Sequence, residues 1–206
     1  MRALLPAFRK KFGKRLTTPG LIKWCVQSDM LQQALTVYKE RIPIYIMSER
    51  DDILNAVPNA PKPNMQKDYV SEEEARFYEH FLKMGRNMRK AYYGMEVDTY
   101  NGDQKDYTVT TLEHLEALMP HSFFVTKYSI DRLRTIVMDY LYIRAIRNMT
   151  NHANDQENDS QKQLMEYLNQ DPAYKRLNEL KAEDIRRTIL TALEHLQPLP
   201  KKERVK

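Results

Sequence analysis

Cysteine is almost missing from this chain of 206 residues: there is one, Cys25. A single thiol excludes a disulfide framework and argues against a zinc cluster. Set between Trp24 and Val26, it reads as a buried thiol behaving as a small hydrophobe. Glycine is scarce as well, at five residues, and no glycine-rich phosphate loop, nucleophile elbow or Cys–His pair can be found. His80, His114, His121 and His195 are scattered without metal-ligand spacing. Glu72 and Glu74 read as first-turn charge on a helix rather than as ligands. No metal and no cofactor is therefore expected. Nor is there an unbroken apolar run of about 18 residues, so no membrane span is expected. The opening stretch MRALLPAFRKKFGKR lacks the apolar core of a secretory signal, and a cytoplasmic location follows as the default.

What the chain does hold is a globular composition. Hydrophobic residues make up 42%, and there are 13 Tyr, enough for one core. The net charge of +5 is misleading, because it sits at the ends. Residues 1–15 carry six basic side chains and no acid, and residues 201–206 carry four with one acid. The body between them is mildly acidic. The basic ends read as solvated linker in preference to an RNA contact, so the high overall pI says little about nucleic acid.

Helical periodicity dominates the middle of the chain. Residues 1–18 read as a basic N-terminal helix or linker remnant, 19–198 as a helical domain, and 199–206 as a basic tail. Pro19 suits a first helical turn with Thr18 as its cap. Leu31, Ala34, Leu35, Tyr38, Ile42 and Tyr45 predict an amphipathic helix over 30–46, with Pro43 as a kink. Periodicity is lost near 48–70, where Pro58, Pro61 and Pro63 mark a loop. Ser71 and Glu74 form a capping box for a helix over 72–92. The cations near its end, Lys83, Arg86, Arg89 and Lys90, read as favourable helix-end charge. A second loop near 94–110 has room for a hairpin around Asn101–Gly102. A short helix is expected at 111–119, and Ser129 caps a longer one reaching about residue 150. Ser160 with Gln163, and Asp171 with Pro172, mark further helix starts. Ile185, Ile189, Leu193 and Leu196 define a last helix stopped by Pro198. Strand-like alternation is brief, at 105–110 and 122–128. The expectation is an all-α bundle of about six to eight helices.

Chemistry is concentrated in DYLYIRAIRNMTNHAND, residues 139–155. A strongly apolar helix turns polar here, and Arg147, Asn148, Asn151, His152, Asn154 and Asp155 crowd together. Asn and Asp are poor helix-interior residues, so packing does not explain them. This stretch resembles the motif of HEPN ribonucleases: an Arg, a polar residue directly after it, several residues, then a His. Arg147, Asn148 and His152 match those elements. Residues 21–43, LIKWCVQSDMLQQALTVYKERIP, resemble a second region of one subset, the CRISPR-associated effectors of type III systems in which a CARF sensor domain precedes the HEPN domain. The two regions cover about a fifth of the chain. Alternating strands and helices of a CARF domain are not seen, so a response to cyclic oligoadenylate is expected only if a CARF domain is present in the parent protein.

The resemblance implies a metal-independent endoribonuclease cutting single-stranded RNA, with its site composed at a homodimer interface and a place in antiviral defence. The residue types suit that chemistry. RNA supplies its own nucleophile, the 2′-hydroxyl. Histidine titrates near neutrality and moves protons. Arginine stays charged and grips phosphate oxygens through a fork of donors. Asn148 suits a hydrogen bond to His152 or to the phosphate that fixes their geometry. Arg147 and His152 stand about 140° apart on an ideal helical wheel, so convergence needs a helix end or a second subunit. Arg144 and Asn151 are supporting candidates. Arg144 also reads as an ion-pair partner of Asp139 or Asp155.

Plainer readings stand beside this one. Arg147 and His152 are also what a helix C-terminus attracts. Tyr92, Tyr93, Tyr140 and Tyr142 offer faces for stacking bases, but at this spacing they read as packing. The rivals are a non-catalytic helical dimerisation or RNA-binding module and a HEPN toxin held inactive by an antitoxin partner.

Overall fold

The computed structural model describes residues 17–50, 53, 55–56, 77, 124–151, 171–176 and 179–198. These residues are overwhelmingly helical, in keeping with the all-α expectation. The expected 111–119 helix, the Asn101–Gly102 hairpin and the Ser160 start lie outside them, as does the 72–92 helix apart from Phe77, which is helical.

Helix α1 spans Thr18–Gln27. Its cap is Thr17, one residue earlier than expected: the Thr17 side chain accepts the Gly20 N–H at 3.2 Å. Thr18 is instead buried in the first turn and donates its hydroxyl to Glu49 at 3.3 Å. The helix ends without glycine. Asp29 takes the left-handed conformation, φ 60°, while Asp29 N–H reaches Val26 O and Met30 N–H reaches Cys25 O. This is the paired-bond helix stop usually built on Gly, which lacks the Cβ penalty. Asp is among the few other residues that accept this backbone. Arg186 secures the stop by donating to Val26 O and pairing with Asp29, both at 2.8 Å.

Helix α2 spans Leu31–Ile44 and buries Ala34, Leu35, Tyr38 and Ile42, the stripe read from periodicity. Pro43 lies inside it. Having no N–H, Pro43 leaves the carbonyl four residues back, Lys39, without its helical donor. The hydroxyl of Tyr140 takes that place, 3.1 Å from Lys39 O. The chain then widens into a π-helical turn over Tyr45–Glu49.

Helix α3, Ile130–Asn151, is the longest among the described residues. Ser129 caps it as expected, accepting the Arg132 N–H at 3.3 Å. Every residue from Ile136 to Ile143 is buried, so the helix is surrounded and not one-sided. It packs on α2 and on helix α4, Ala182–His195, which also reaches α1 and α2. The ring of Tyr140 lies against Tyr38, centroids 6.5 Å apart, and meets the edge of Phe77 at 5.1 Å. Such aromatic pairs add about 0.5–1.5 kcal/mol each beyond the area they bury. Asn55 and Ala56 pair antiparallel with Val125 and Phe124, a two-residue bridge, which falls within the brief alternation at 122–128.

Asp171 and Pro172 open a turn, not a helix. Asp171 accepts the Ala173 N–H through its side chain and the Tyr174 N–H through its carbonyl, and the chain stays non-helical through residue 176. The end of α4 is closed from a distance. Arg132 donates to His195 O and Gln197 O, and Arg50 donates to Leu196 O at 2.6 Å. Arg50 also reaches the hydroxyls of Tyr45 and Tyr128, and Tyr128 donates to Gln197 O at 2.8 Å. The Arg132 guanidinium lies over the Tyr128 ring, 4.8 Å from its centre. Two cations thus satisfy the carbonyls that a helix C-terminus leaves without donors.

Candidate functional site

The last turns of α3 carry the residues singled out by sequence. Arg144, Arg147, Asn148 and Asn151 follow one another at i, i+3, i+4 and i+7, which sets their positions within an arc of about 100°. Arg144, Arg147 and Asn148 are half-buried, between the buried Ala145 and Ile146 and the exposed Met149 and Thr150. Arg147 Nη1 donates to Asn148 Oδ1 at 3.4 Å, and Thr150 donates its hydroxyl to Arg147 O at 3.0 Å. Arg147 and Asn148 are therefore brought together. The helix continues unbroken from Arg147 to Asn151. His152, the other member of the expected pair, lies outside the described residues.

A second polar cluster, two turns earlier on α3, was not expected. Asp139 is buried at 5% exposure within the apolar run of α3. Its two carboxylate oxygens have separate partners. Tyr174 donates to Oδ1 at 3.0 Å, and His195 Nδ1 lies 2.6 Å from Oδ2. Asp155, the other acid considered as a partner for Arg144, lies outside the described residues. Tyr174 is also wedged edge-on against Tyr142, centroids 4.8 Å apart, and Tyr142 donates to Lys175 O. The Asp139 hydrogen bond and charge push the His195 imidazole above its usual range, against burial and the Arg132 cation. Burial, then the same carboxylate, push the Tyr174 phenol well above its ordinary range, so it stays a neutral donor. Tyr38 lies close enough for its phenol to be pushed up as well, first by burial and then by Asp139; its hydroxyl is buried with no hydrogen-bond partner among the described residues. The signal for this cluster was present in the sequence. A lone acid inside IVMDYLYI must find a donor when buried, and His195 sits on the same helix as the apolar stripe Ile189, Leu193 and Leu196.

Among the described residues no three His, Cys, Asp or Glu side chains are grouped to hold a metal ion. Cys25 is buried, and burial pushes its thiol up, away from the reactive thiolate. No described helix is long and apolar enough to cross a membrane. The chain matches no family model, no curated protein and no solved structure.

Proposed function

We propose that the chain is a HEPN-type endoribonuclease, folded as a helical bundle of six to eight helices, that cuts single-stranded RNA without a metal. Its catalytic residues in this reading are Arg147, Asn148 and His152, with Arg144 and Asn151 supporting them. One observation carries it. The end of a helix that is buried from Ile136 to Ile143 presents a half-exposed polar stripe, with the Arg147 guanidinium beside the Asn148 amide. Such a stripe does nothing for the core, and a fixed guanidinium suits a phosphate.

In the proposed reaction His152 transfers protons. The 2′-hydroxyl attacks the adjacent phosphorus, the 5′-oxygen leaves, and the products are a 2′,3′-cyclic phosphate and a 5′-hydroxyl. Arg147 stabilises charge on the phosphorane oxygens. DNA, lacking the nucleophile, is not a substrate. One motif supplies one imidazole, so a homodimer with two motifs facing one cleft is part of the proposal. Regulation by cyclic oligoadenylate would require a CARF domain and is not ascribed to these residues.

The contacts of Arg147 with its own neighbours also favour a second reading. A guanidinium bonded to Asn148, in a turn closed by Thr150, serves equally to finish a helix in a non-catalytic module. Incubation of the purified protein with single-stranded RNA in EDTA separates the two. Cleavage that survives chelation, leaves cyclic phosphate ends and disappears in His152→Ala is the expected result. Arg147→Lys keeps the charge, loses the fork, and should cut activity by roughly tenfold or more. The rate should change with pH near neutrality. Equal cleavage by wild type and His152→Ala, or none by either, defeats the ribonuclease reading.

A further inference from the structure

Asp139 joins three pieces of chain that are far apart in sequence: α3 itself, the turn at 171–176 through Tyr174, and the end of α4 through His195. A carboxylate in that setting is costly unless both oxygens are bonded and its charge is met. Tyr174 supplies only a neutral hydroxyl. The cation comes from His195, whose side chain is 37% exposed against 7% for Asp139, so the imidazole is open to solvent while the carboxylate is not.

We propose that Asp139, Tyr174 and His195 form a proton-controlled latch, which docks the 171–176 turn and the end of α4 onto α3 tightly while the imidazole is charged and loosens once it is neutral. The groups around the imidazole can be named element by element. From α3 come Asp139, which favours the charged ring, and Arg132, which opposes it. Glu194 on α4 favours it. Tyr174 on the 171–176 turn shares the same carboxylate and stays uncharged. Arg50 holds the next carbonyl along, Leu196 O. The balance lies with the charged form, because the Asp139 hydrogen bond outweighs burial and Arg132.

The sign follows from the raised pKa. The unfolded imidazole titrates near 6.5. The extra stability is complete below that value and is lost as pH rises through the higher folded value. Neutral His195 still donates a hydrogen bond from Nδ1, so the latch weakens without falling apart.

Lys175 and Arg176 are exposed on the latched turn and give trypsin a reporter. Nicking there is measured on the intact protein from pH 6.5 to 9, as a ratio to a peptide of the same local sequence. Wild type should show that ratio rising about threefold with pH, the scale of a screened, half-exposed pair. His195→Asn, whose amide nitrogen stands where Nδ1 stood but does not titrate, should give a pH-independent ratio. Tyr174→Phe uncouples the turn from Asp139 and should give faster nicking with no rise. A flat wild-type profile, or a rise that persists in either variant, overturns the latch. None of these readouts depends on the ribonuclease reading.

Discussion

Replacing Tyr140 by Phe removes a single oxygen from the middle of the core, and its cost should depend on a residue on another helix. The ring is fully buried between Tyr38 and Phe77, and Phe keeps those contacts. What goes is the donor to Lys39 O at 3.1 Å. In the wild type that carbonyl has already lost its helical partner to Pro43. Tyr140→Phe thus leaves it without either donor, at a cost of about 1–2 kcal/mol for a half-buried carbonyl. In a Pro43→Ala background, residue 43 regains an N–H and can close the helical bond. The same Tyr140 change should then cost about 0.5 kcal/mol, because a carbonyl oxygen with one donor left is still served. The coupling is the difference, about 1 kcal/mol, and does not depend on whether Pro43→Ala stabilises or destabilises α2. Urea denaturation followed by fluorescence of Trp24, the one tryptophan, measures all four corners of the cycle. Coupling under about 0.3 kcal/mol, or of opposite sign, would show that the hydroxyl does not replace the missing helical bond.

Two further outcomes follow from the same hydrogen-bond pattern. Tyr38→Phe should be neutral or stabilise by up to about 1 kcal/mol, since the hydroxyl is buried without a partner among the described residues and its removal ends a desolvation cost; a loss above about 1 kcal/mol in denaturation would mean that the hydroxyl is bonded in solution. Arg50→Ala removes donors to Leu196 O and to the hydroxyls of Tyr45 and Tyr128, and should cost about 3 kcal/mol, or roughly 6–12 °C in Tm for a chain of this size. Arg50→Lys should recover part of that, because an ammonium supplies charge but not the planar fork. A melting curve unchanged by Arg50→Ala would show that the end of α4 is held by other means.

Periodicity carried α2 and α4 well, because the apolar residues read at helical spacing, such as Leu35, Tyr38 and Ile42 or Ile189 and Leu193, are those that packing buries. Local punctuation was harder. Thr17 and Thr18 are equally good caps by type, and which one precedes the first turn depends on the Thr18–Glu49 bond, made by a residue 31 positions away. Asp29 ends a helix where pattern reading looks for Gly, because Arg186 from α4 supports it. Asp171–Pro172 has the residues of a helix start, yet the chain turns instead, with Tyr174 drawn onto Asp139. In each case a contact remote in sequence decided between locally equivalent choices. At the candidate site, Arg147 and Asn148 are neighbours on the half-exposed end of α3, as their spacing required. The convergence with His152 and the activity itself rest on the motif resemblance. The Asp139–His195 pair was within reach of sequence reasoning as a buried acid in need of a donor, but no local window joins residues 139 and 195.

The clasp at the end of α4 has a consequence for how the protein is made. Arg50 grips a carbonyl 146 residues further along, and Arg132 grips the carbonyls beside it. A nascent chain emerging from the ribosome carries α1, α2 and even α3 long before those carbonyls exist. The early helices must therefore remain partly open, with Arg50 in water and the surface destined for α4 uncovered, until residues near 197 have left the tunnel. Closure of such a distant contact is slow relative to helix formation. In the interval between synthesis of α3 and arrival of α4, the apolar surface that α4 later covers is open to water.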